Sequence, residues 1–564
     1  MRPMSVRDRS LMPLFLVLAA GAGLACGERA DVWNDPIRIG ARHGLVDAVA
    51  VVDESAKRVV LAVPEPDLGL ARSSVAVGPN VVATALSRDR TTLFVLSAGD
   101  QPRREEKDAR PSLTVIRRSG GATIHRTFAL KNAQSALTLD PLGRYVALHA
   151  APAGTANLKA SFVENPNEVV VLDLDDPSTD SAATSRTLRS FGGTPRRFTF
   201  TPPLSLPGGS RRLLIAETEQ DVALLDLDHL KDKPERPEIT VRLGSGSTSK
   251  VLKPAGLVFD DGEPTRNDDT RIAIRSESDS SVVTLTLGPA TAAAAGTTPP
   301  PNANDFSPTV NLVDVGGPPS DLAFVRTDGG LRLAAIVPGI SSAVLVEPET
   351  GVTDKVTLPA PFTRVSLVTR DVASVAAPAA SSDVALLWGG SGAGVAFWSL
   401  GRTSGVPYRS VEFVSVGGAV ASVKDVPPPR PELKVLELGR GTSAASGAAG
   451  TASFAILNLK DRTASPLVST ANALSLEVSS DGARAWAFQP GTGKLAAIGL
   501  ADARPQTLDV ERNIDAVYDI EAPGGRALVA VHARGAVGLT LLDALTPDPA
   551  RTVAYSGLLL EGVQ

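Results

Sequence analysis

Cysteine and histidine are scarce in this chain, which limits the chemistry available to it. The 564 residues include one cysteine, Cys26, and five histidines. A single cysteine excludes an internal disulfide, a CxxC redox pair and a zinc site built from several cysteines. No two histidines lie within a few residues of each other, so no local spacing indicates a metal site; they are His43, His125, His149, His229 and His532. The sequence therefore predicts no metal and no other cofactor.

Aromatic residues and excess charge are also lacking. Phe, Trp and Tyr make up 4% of the chain, which leaves few rings for stacking on sugars or bases. Lys and Arg number 56 against 61 Asp and Glu, which gives a formal net charge of −5. Because a nucleic-acid-binding protein needs a basic face, we expect no nucleic-acid partner.

Glycine, proline and small apolar residues are abundant instead. Hydrophobic residues make up 43% of the chain, enough for a buried core. The 50 glycines and 43 prolines interrupt the chain about every six residues, as an all-β protein with many turns requires. A length of 564 residues accommodates one large β-architecture or several ordinary domains.

The first 25 residues have the organisation of an export signal. Arg2, Arg7 and Arg9 give a positively charged start, and an apolar stretch runs from Leu11 to Ala25. This stretch of about fifteen residues is shorter than the roughly 20 that a membrane-spanning helix needs. Residues 1–25 are therefore interpreted as a signal peptide that is removed from the mature protein.

The residues around Cys26 resemble a bacterial lipobox. The segment reads Gly23-Leu24-Ala25-Cys26, although the usual pattern places leucine three residues before the cysteine, where this chain has Gly23. The resemblance implies that the Cys26 thiol carries a diacylglycerol and that the signal is cut just before it. Gly27, which is not aspartate, favours the outer membrane in that resemblance. The alternative is an ordinary secretory signal with a chance cysteine.

A two-part strand pattern repeats through the rest of the chain. One part is a β-branched run that ends near Asp or Asn, as in 167–174, 220–227 and 452–459. The other part begins with Gly and Pro, as in 77–79, 192–195 and 315–318, and leads into two short strands. The turn between those strands contains aspartate in Asp140-Pro141-Leu142-Gly143-Arg144 and Ser480-Asp481-Gly482-Ala483-Arg484. Each unit therefore contains two hairpins.

Two hairpins repeated at roughly 42–65 residues are typical of four-stranded propeller blades. We therefore predict an all-β fold, a single β-propeller of four-stranded blades, with eight blades expected and seven or nine as alternatives. An all-β solenoid or two stacked smaller propellers are the other architectures that the pattern allows. The predicted boundaries are a lipidated N-terminus and tether over 26–43 and a propeller domain over 44–564.

The repeat resembles the YVTN family of β-propellers over most of residues 45–555. The resemblance rests on the Gly-x-x-Pro start, the Ser-Pro-Asp-Gly-like turn and the Val-x-Val-x-Asp strand, although Ser87-Arg88-Asp89-Arg90 lacks the Pro and Gly. No Trp-Asp dipeptide ends a strand, so a WD40 propeller fits poorly. YVTN-like propellers are similar to lactone-hydrolysing and quinone-dependent enzymes, which implies a channel site with His, Arg or Glu and often a metal.

A search for catalytic or ligand-binding motifs assigns no catalytic, cofactor-binding or metal-binding residue. Gly389-Gly390-Ser391-Gly392-Ala393 approaches a nucleophile elbow, but no helix follows it. Five carboxylates lie in Asp260-Asp261-Gly262-Glu263 and Asp268-Asp269, and their order does not match an EF-hand. Asp173, Asp226 and Asp543 end strand-like runs and are predicted to accept hydrogen bonds from turn amides. Trp388, Trp398 and Trp486 are predicted to pack between blades.

The leading interpretation is a cell-envelope lipoprotein, held at the outer membrane through Cys26, whose propeller is a scaffold for a protein partner. One alternative is a propeller enzyme that acts at the channel, although the scarce histidines make catalysis the less favoured reading. The other is a surface sensor or adhesin that binds small ligands or glycans, against which the 4% aromatic content counts. Insertions at Ala290–Pro308 and Gly441–Gly450 are interpreted as loops on the rim.

Overall fold

The computed structural model describes most of the chain after the N-terminal segment. The described residues are 37–151, 165–179, 182–189, 193–207, 209–231, 238–244, 252–260, 270–290, 305–327, 329–368, 384–400, 409–439, 453–467, 475–522, 525–532 and 537–560. Cys26 and the export-type segment therefore lie outside the described residues, as does the insertion predicted at 441–450.

Four-stranded antiparallel sheets arranged as a β-propeller make up the described part of the chain, which confirms the all-β prediction. Ten such sheets follow one another along the sequence, and we name them blades 1 to 10. In each blade the strands pair in chain order, so the first strand is innermost and the fourth is outermost. Short 3-10 turns interrupt this pattern at Pro66–Leu68, Leu227–His229, Pro338–Ile340 and Pro549–Arg551.

Blades 1 to 5 occupy the N-terminal half. Blade 1 contains β1 (Ile39–Gly44), β2 (Val49–Asp53), β3 (Arg58–Pro64) and β4 (Leu70–Ala76). Blade 2 contains β5 (Val81–Leu86), β6 (Thr92–Ser97), β7 (Ser112–Ser119) and β8 (Ala122–Ala129). Blade 3 contains β9 (Ala136–Leu139), β10 (Tyr145–His149), β11 (Glu168–Asp173) and β12 (Ala183–Thr187). Blade 4 contains β13 (Arg197–Phe200), β16 (Leu213–Glu217), β17 (Asp221–Asp226) and β18 (Glu238–Arg242), with a separate hairpin of β14 (Leu204–Leu206) and β15 (Gly209–Arg211). Blade 5 contains β19 (Pro254–Asp260), β20 (Thr270–Ser276), β21 (Ser281–Pro289) and β22 (Phe306–Asp314).

Blades 6 to 10 continue the same order. Blade 6 contains β23 (Asp321–Thr327), β24 (Gly330–Val337), β25 (Ser342–Val346) and β26 (Thr353–Thr357). Blade 7 contains β27 (Arg364–Val368), β28 (Val384–Trp388), β29 (Gly394–Ser399) and β30 (Val411–Ser415). Blade 8 contains β31 (Val420–Asp425), β32 (Leu433–Leu438), β33 (Ser453–Asn458) and β34 (Thr463–Leu467). Blade 9 contains β35 (Ser475–Val478), β36 (Arg484–Phe488), β37 (Thr492–Gly499) and β38 (Pro505–Ile514). Blade 10 contains β39 (Ala516–Ala522), β40 (Gly525–His532), β41 (Gly538–Asp543) and β42 (Val553–Tyr555).

The core is divided among the interfaces between neighbouring blades. Each buried apolar cluster joins the facing sides of two adjacent blades, as between blades 3 and 4, where Val171 of β11 packs with Leu214 and Ala216 of β16. Trp398 and Trp486 are fully buried in two of these clusters, and Trp388 packs against a third. The prediction that these tryptophans pack between blades is therefore confirmed.

The last blade packs against the first. Val529 and Leu541 of blade 10 share one buried cluster with Val49 and Val51 of blade 1. The Tyr518 hydroxyl also donates a hydrogen bond to the Arg42 carbonyl oxygen at 3.0 Å. Each of the two blades takes all four of its strands from its own end of the chain. Side-chain packing and hydrogen bonds, including one from the Glu521 amide to the Val46 carbonyl oxygen at 2.8 Å, therefore hold this junction together, with no exchanged strand among the described residues.

Aspartates in the turns between first and second strands pair with arginines of the following blade. The Arg212 guanidinium of blade 4 donates two hydrogen bonds to Asp140 of blade 3, one of them at 2.7 Å, and the Asp140 side chain is fully buried. Asp47 with Arg118 and Asp481 with Arg526 follow the same plan, and Asp260, the last residue of β19, pairs with Arg326 of blade 6. The aspartate of the Ser-Pro-Asp-Gly-like turn therefore links neighbouring blades as well as shaping its own turn.

Two features differ from the sequence-based boundaries. The described residues form ten four-stranded sheets, where the repeat suggested eight blades. Blade 6 spans only Asp321–Thr357, a shorter unit than the repeat length on which that number rested. The first strand begins at Ile39, inside the segment interpreted as a tether, because residues 39–44 pair with β2. No helix among the described residues is long and apolar enough to cross a membrane.

Candidate binding site at one end of the channel

The innermost strands place several charged residues at one end of the central channel. Arg197, Asp321 and Arg364 are the first residues of β13, β23 and β27, which are the first strands of blades 4, 6 and 7. First strands run in the same direction around a propeller, so their first residues lie at one end of the channel. We call this end the arginine end.

A glycine in blade 5 brings a further arginine to the arginine end. Gly256 of β19 pairs with Arg275 of β20, the second-last residue of its strand. A Cβ atom at Gly256 would lie 3.1 Å from Arg275 Nε and 3.5 Å from Arg197 Nη1. The missing side chain thus leaves the space in which guanidinium groups from blades 4 and 5 come together.

A buried carboxyl group lies beside these arginines. Glu217 ends β16 and pairs across the sheet with Arg197. Its side chain is 2% exposed, and its Oε1 lies 3.8 Å from Arg197 Nη1. Among the described residues none donates a hydrogen bond to this oxygen. Burial raises the pKa of Glu217, and the nearby cations of Arg197 and Arg275 only partly oppose the rise.

The electrostatic field at the arginine end acts on Arg275. Burial lowers the pKa of this guanidinium, and the positive charges of Arg197 and Arg364 lower it further. The carboxylates of Asp321 and Glu217 act in the opposite direction. Asp321 also accepts hydrogen bonds from the backbone amides of Leu322 and Val365, each at 3.1 Å. Its carboxylate is therefore engaged by the backbone of its own blade and of blade 7.

Replacing Glu217 by glutamine should stabilise the protein at neutral pH. Because folding raises the pKa of Glu217, the folded state holds the proton more tightly than the unfolded state, and stability falls as pH rises above the ordinary value of about 4.3. The Glu217→Gln variant has no carboxyl group to titrate at this position, so its stability does not fall for this reason as pH rises. We expect its Tm at pH 7 to exceed that of the wild type by about 1–2 °C and the difference to vanish near pH 4.

Thermal melting monitored by circular dichroism at pH 4, 5.5 and 7 measures this effect. Exposed Glu219, two residues further on, provides the matched control, and Glu219→Gln should track the wild type at every pH. A Glu217→Gln variant that is less stable than the wild type at pH 7 would contradict the assignment of a poorly compensated buried carboxyl.

A second group of charged residues lies on the inner strands near the junction of the last and first blades. The Arg90 guanidinium donates hydrogen bonds to the carbonyl oxygens of Gly44, Leu45 and Asp519 at 2.8, 3.2 and 3.0 Å. Burial raises the pKa of Glu477, while Lys424 and Arg90 act to lower it. Arg90 thus has three backbone acceptors, and its evident role is to join the two ends of the chain.

Two surface clefts lie between blades rather than on the channel. One, of about 480 Å³, lies between blades 2 and 3 and includes Asp89 and Tyr145. The other, of about 580 Å³, lies between blades 10 and 1 and includes Glu65 and Arg551. Asp89 accepts hydrogen bonds from Ser87 and Thr91, so its carboxylate shapes the local turn.

The three strand-ending aspartates behave as the sequence predicted. Asp173 accepts a hydrogen bond from the amide of Asp175 at 3.1 Å, and Asp226 accepts one from the amide of Asp228 at 3.0 Å. Asp543 accepts hydrogen bonds from the amides of Leu545 and Thr546 at 2.8 and 3.2 Å. All three carboxylates therefore cap turns at the ends of third strands.

The remaining motif candidates do not form a site in the described part of the chain. Residues 389–393 form a turn between β28 and β29, with no helix after it. Of the acidic stretch, Asp260 is described and pairs with Arg326, whereas residues 261–269 lie outside the described ranges. Within those ranges no group of three or more His, Cys, Asp or Glu side chains has metal-binding geometry.

Sequence reasoning missed the arginine end. Its members lie at positions 197, 217, 256, 275, 321 and 364 and come from four blades, so no local spacing connects them. One signal in the sequence could have located Arg197. It follows the Gly-Gly-Thr-Pro segment that marks the start of a first strand. Only the sheet register shows that Arg275 and Gly256 are neighbours.

Comparisons with known proteins found similarity to solved structures at low sequence identity. No protein-family model matches the chain, and no curated protein matches it. The structure titled "Dihydro-heme d1 dehydrogenase NirN in complex with DHE" is 10% identical, with 75% of this chain and 73% of that chain covered and a TM-score of 0.38. A eukaryotic initiation factor is 11% identical over 77% and 87%, with a TM-score of 0.40. Apo AztD from Citrobacter koseri is 12% identical over 76% and 96%, with a TM-score of 0.30.

Proposed function

We infer that the chain is a cell-envelope lipoprotein whose β-propeller is a platform for binding a partner. The observation that carries the envelope part is the position of the only cysteine, Cys26, directly after a positively charged start and an apolar stretch. Lipid attachment requires a cysteine thiol at this position. The ring of blades supplies a rigid body whose surface loops are free to vary.

The energetics of such an anchor follow from the length of its acyl chains. Each buried methylene contributes about 0.8 kcal/mol, so a single acyl chain binds a membrane only marginally, whereas two or three hold a protein firmly. Modification at Cys26 would therefore be sufficient to keep the propeller at the membrane without a spanning helix. Gly27 favours the outer membrane as the destination.

Replacing Cys26 by alanine should release the protein from membranes. Without a thiol no diacylglycerol can be attached, and the protein should move almost completely from the membrane pellet to the soluble fraction. Fractionation of cells followed by a high-salt wash measures this, with Gly27→Ala as the matched control that keeps the thiol. Retention of Cys26→Ala in the washed membranes would contradict the lipid anchor.

The platform part of the proposal is tested by cross-linking in living cells. Residues 291–304 connect β21 and β22, and the amide of Ala290 donates a hydrogen bond to the Asp305 carbonyl oxygen at 3.0 Å. Because the two ends of this loop already meet, Gly-Gly can replace 291–304 without moving the sheet. A partner that cross-links to the wild type and is lost with this loop supports the platform. Failure to capture any reproducible partner argues against it.

The second candidate is an enzyme that works at the channel, and the arginine end is the observation in its favour. A buried carboxyl group with a raised pKa, as at Glu217, is suited to accept a proton near neutral pH. Lactone hydrolysis assayed with the wild type and Glu217→Gln, with and without added divalent cations, separates the two candidates. Turnover that disappears in Glu217→Gln supports the enzyme, and no turnover supports the platform.

A further inference from the structure

We propose that the arginine end binds a small polyvalent oxyanion, held by Arg197, Arg275 and Arg364. Phosphate and carboxylate oxygens share the geometry that guanidinium groups recognise with paired N–H donors. This inference rests on the binding-platform function proposed above and gives one of its surfaces a ligand chemistry.

The first step of the argument is convergence. Arg197 and Arg364 begin innermost strands, and Arg275 reaches the same end of the channel across Gly256. Arg275 Nε and Arg197 Nη1 lie 3.1 and 3.5 Å from the position that a Cβ on Gly256 would occupy. Like charges repel, and the carboxylates of Asp321 and Glu217 oppose part of that repulsion at Arg275.

The second step is that the hydrogen-bond donors are uncommitted. Within the part of the chain that the structure describes, the guanidinium groups of Arg275 and Arg364 donate no hydrogen bond to a protein acceptor and form no ion pair. Arg197 Nη1 donates to the Ala255 carbonyl oxygen at 3.2 Å and forms an ion pair with Glu217 Oε1 at 3.8 Å. A guanidinium carries five N–H donors, so most of the donors at the arginine end remain available to a ligand.

The third step is a contrast with arginines that serve the fold. Arg118 donates two hydrogen bonds to Asp47 at 3.0 and 2.8 Å, and Arg212 donates two to Asp140. Those arginines are paired in the bidentate geometry that guanidinium and carboxylate favour. Arg275 is partly buried and has no such pairing among the described residues, so a structural ion pair does not account for it.

The fourth step concerns the carboxyl groups beside the arginines. Asp321 accepts backbone amide hydrogen bonds, which leaves the guanidinium groups without a bidentate carboxylate. Glu217 is 2% exposed, with an Oε1 atom that accepts no hydrogen bond from the described residues. Among the described residues the guanidinium groups of Arg275 and Arg364 therefore meet no bidentate carboxylate, which suits an oxyanion ligand.

Isothermal titration calorimetry on the full chain, purified in detergent at low salt, tests the proposal with citrate, inorganic phosphate and monovalent acetate. We expect one site that binds citrate or phosphate at least tenfold more tightly than acetate. Binding of only one polyvalent anion supports the proposal and distinguishes carboxylate from phosphate. Equal, weak heats for all three anions would overturn it.

Single substitutions locate the binding. Arg275→Gln and Arg364→Gln should each weaken the affinity by about tenfold or more, as expected for loss of a charged hydrogen bond. Gly256→Ala should weaken it as well, because a Cβ atom 3.1 Å from Arg275 Nε requires that guanidinium to shift, while every arginine remains present. Arg103→Gln, an equal charge change at an exposed loop residue, should change the affinity less than twofold.

If Arg275→Gln and Arg364→Gln keep both the Tm and the anion affinity of the wild type, the proposal is also overturned, since the anion then binds elsewhere. The result is independent of the lipid anchor, because the Cys26→Ala fractionation does not involve the channel. A wild-type protein that binds no polyvalent anion but stays attached to membranes would reject this site alone.

Discussion

Replacing Arg212 by alanine is expected to lower the free energy of unfolding by about 3–5 kcal/mol, because it leaves a buried carboxylate without its cation. The Asp140 side chain is fully buried, and Arg212 supplies two of its hydrogen bonds from the next blade. Amides of Leu142, Arg144 and Tyr145 donate the others. The backbone cannot move away to let water reach the carboxylate, since the same oxygens shape the turn.

The dependence of this effect on pH follows from the pKa of Asp140. Burial acts to raise this pKa, but the hydrogen bond from Arg212 and those from the turn amides outweigh it, so the folded pKa is lowered. A lowered carboxyl pKa stabilises the folded state above the unfolded value of about 3.9 and loses that contribution as pH falls through the folded value. The deficit of Arg212→Ala should therefore shrink below about pH 4.

Urea titration at pH 7 and at pH 3.5, followed by tryptophan fluorescence, measures both parts of this prediction. Arg144→Ala is the matched control, because the Arg144 side chain is 46% exposed and pairs with Asp173 at the surface. Exposed pairs contribute about 0–1 kcal/mol. Equal losses in Arg144→Ala and Arg212→Ala at pH 7 would show that the link between blades 3 and 4 contributes little.

Replacing Val171 by aspartate is expected to unfold the protein or to lower its free energy of unfolding by more than about 4 kcal/mol. Val171 lies in the middle of β11 and is fully buried between blades 3 and 4. The new carboxylate would face Leu214 and Ala216 of the neighbouring blade. No cation is placed among those apolar neighbours, so the charge would be buried unpaired.

Circular dichroism and thermal melting of the purified variant measure this loss. Thr187→Asp is the control in the same blade, because Thr187 is exposed at the end of the outermost strand β12, and it should melt within a few degrees of the wild type. A Val171→Asp variant with an unchanged Tm would contradict the packing of blade 3 against blade 4.

The sequence predicted those parts of the fold that depend on neighbouring residues. The strand containing Val171 was recognisable from its β-branched run, and the turn at Asp140 from its Asp-Pro and Gly residues. The role of Asp140 toward the next blade was not recognisable, because Arg212 is 72 positions away. The repeat length suggested eight blades where the described residues form ten four-stranded sheets, since a compact unit such as blade 6 falls below that repeat length.

The arginine end shows why a site can escape sequence reasoning altogether. Arg275 and Gly256 are adjacent only because β19 and β20 pair in a particular register. Arg197 joins them from another blade, and Glu217 lies buried beside Arg197. None of these residues belongs to a motif. The chemistry of the arginine end therefore arises from the packing of blades and not from spacing along the chain.

The central claim is that this propeller is a lipoprotein anchored through Cys26, and the mass of its mature N-terminal peptide tests it most directly. Trypsin should release the peptide Cys26–Arg29 from the membrane-purified protein. The account predicts that this peptide begins at Cys26 and carries a diacylglycerol on the thiol. An unmodified Cys26, or a mature chain that begins at another residue, would contradict it.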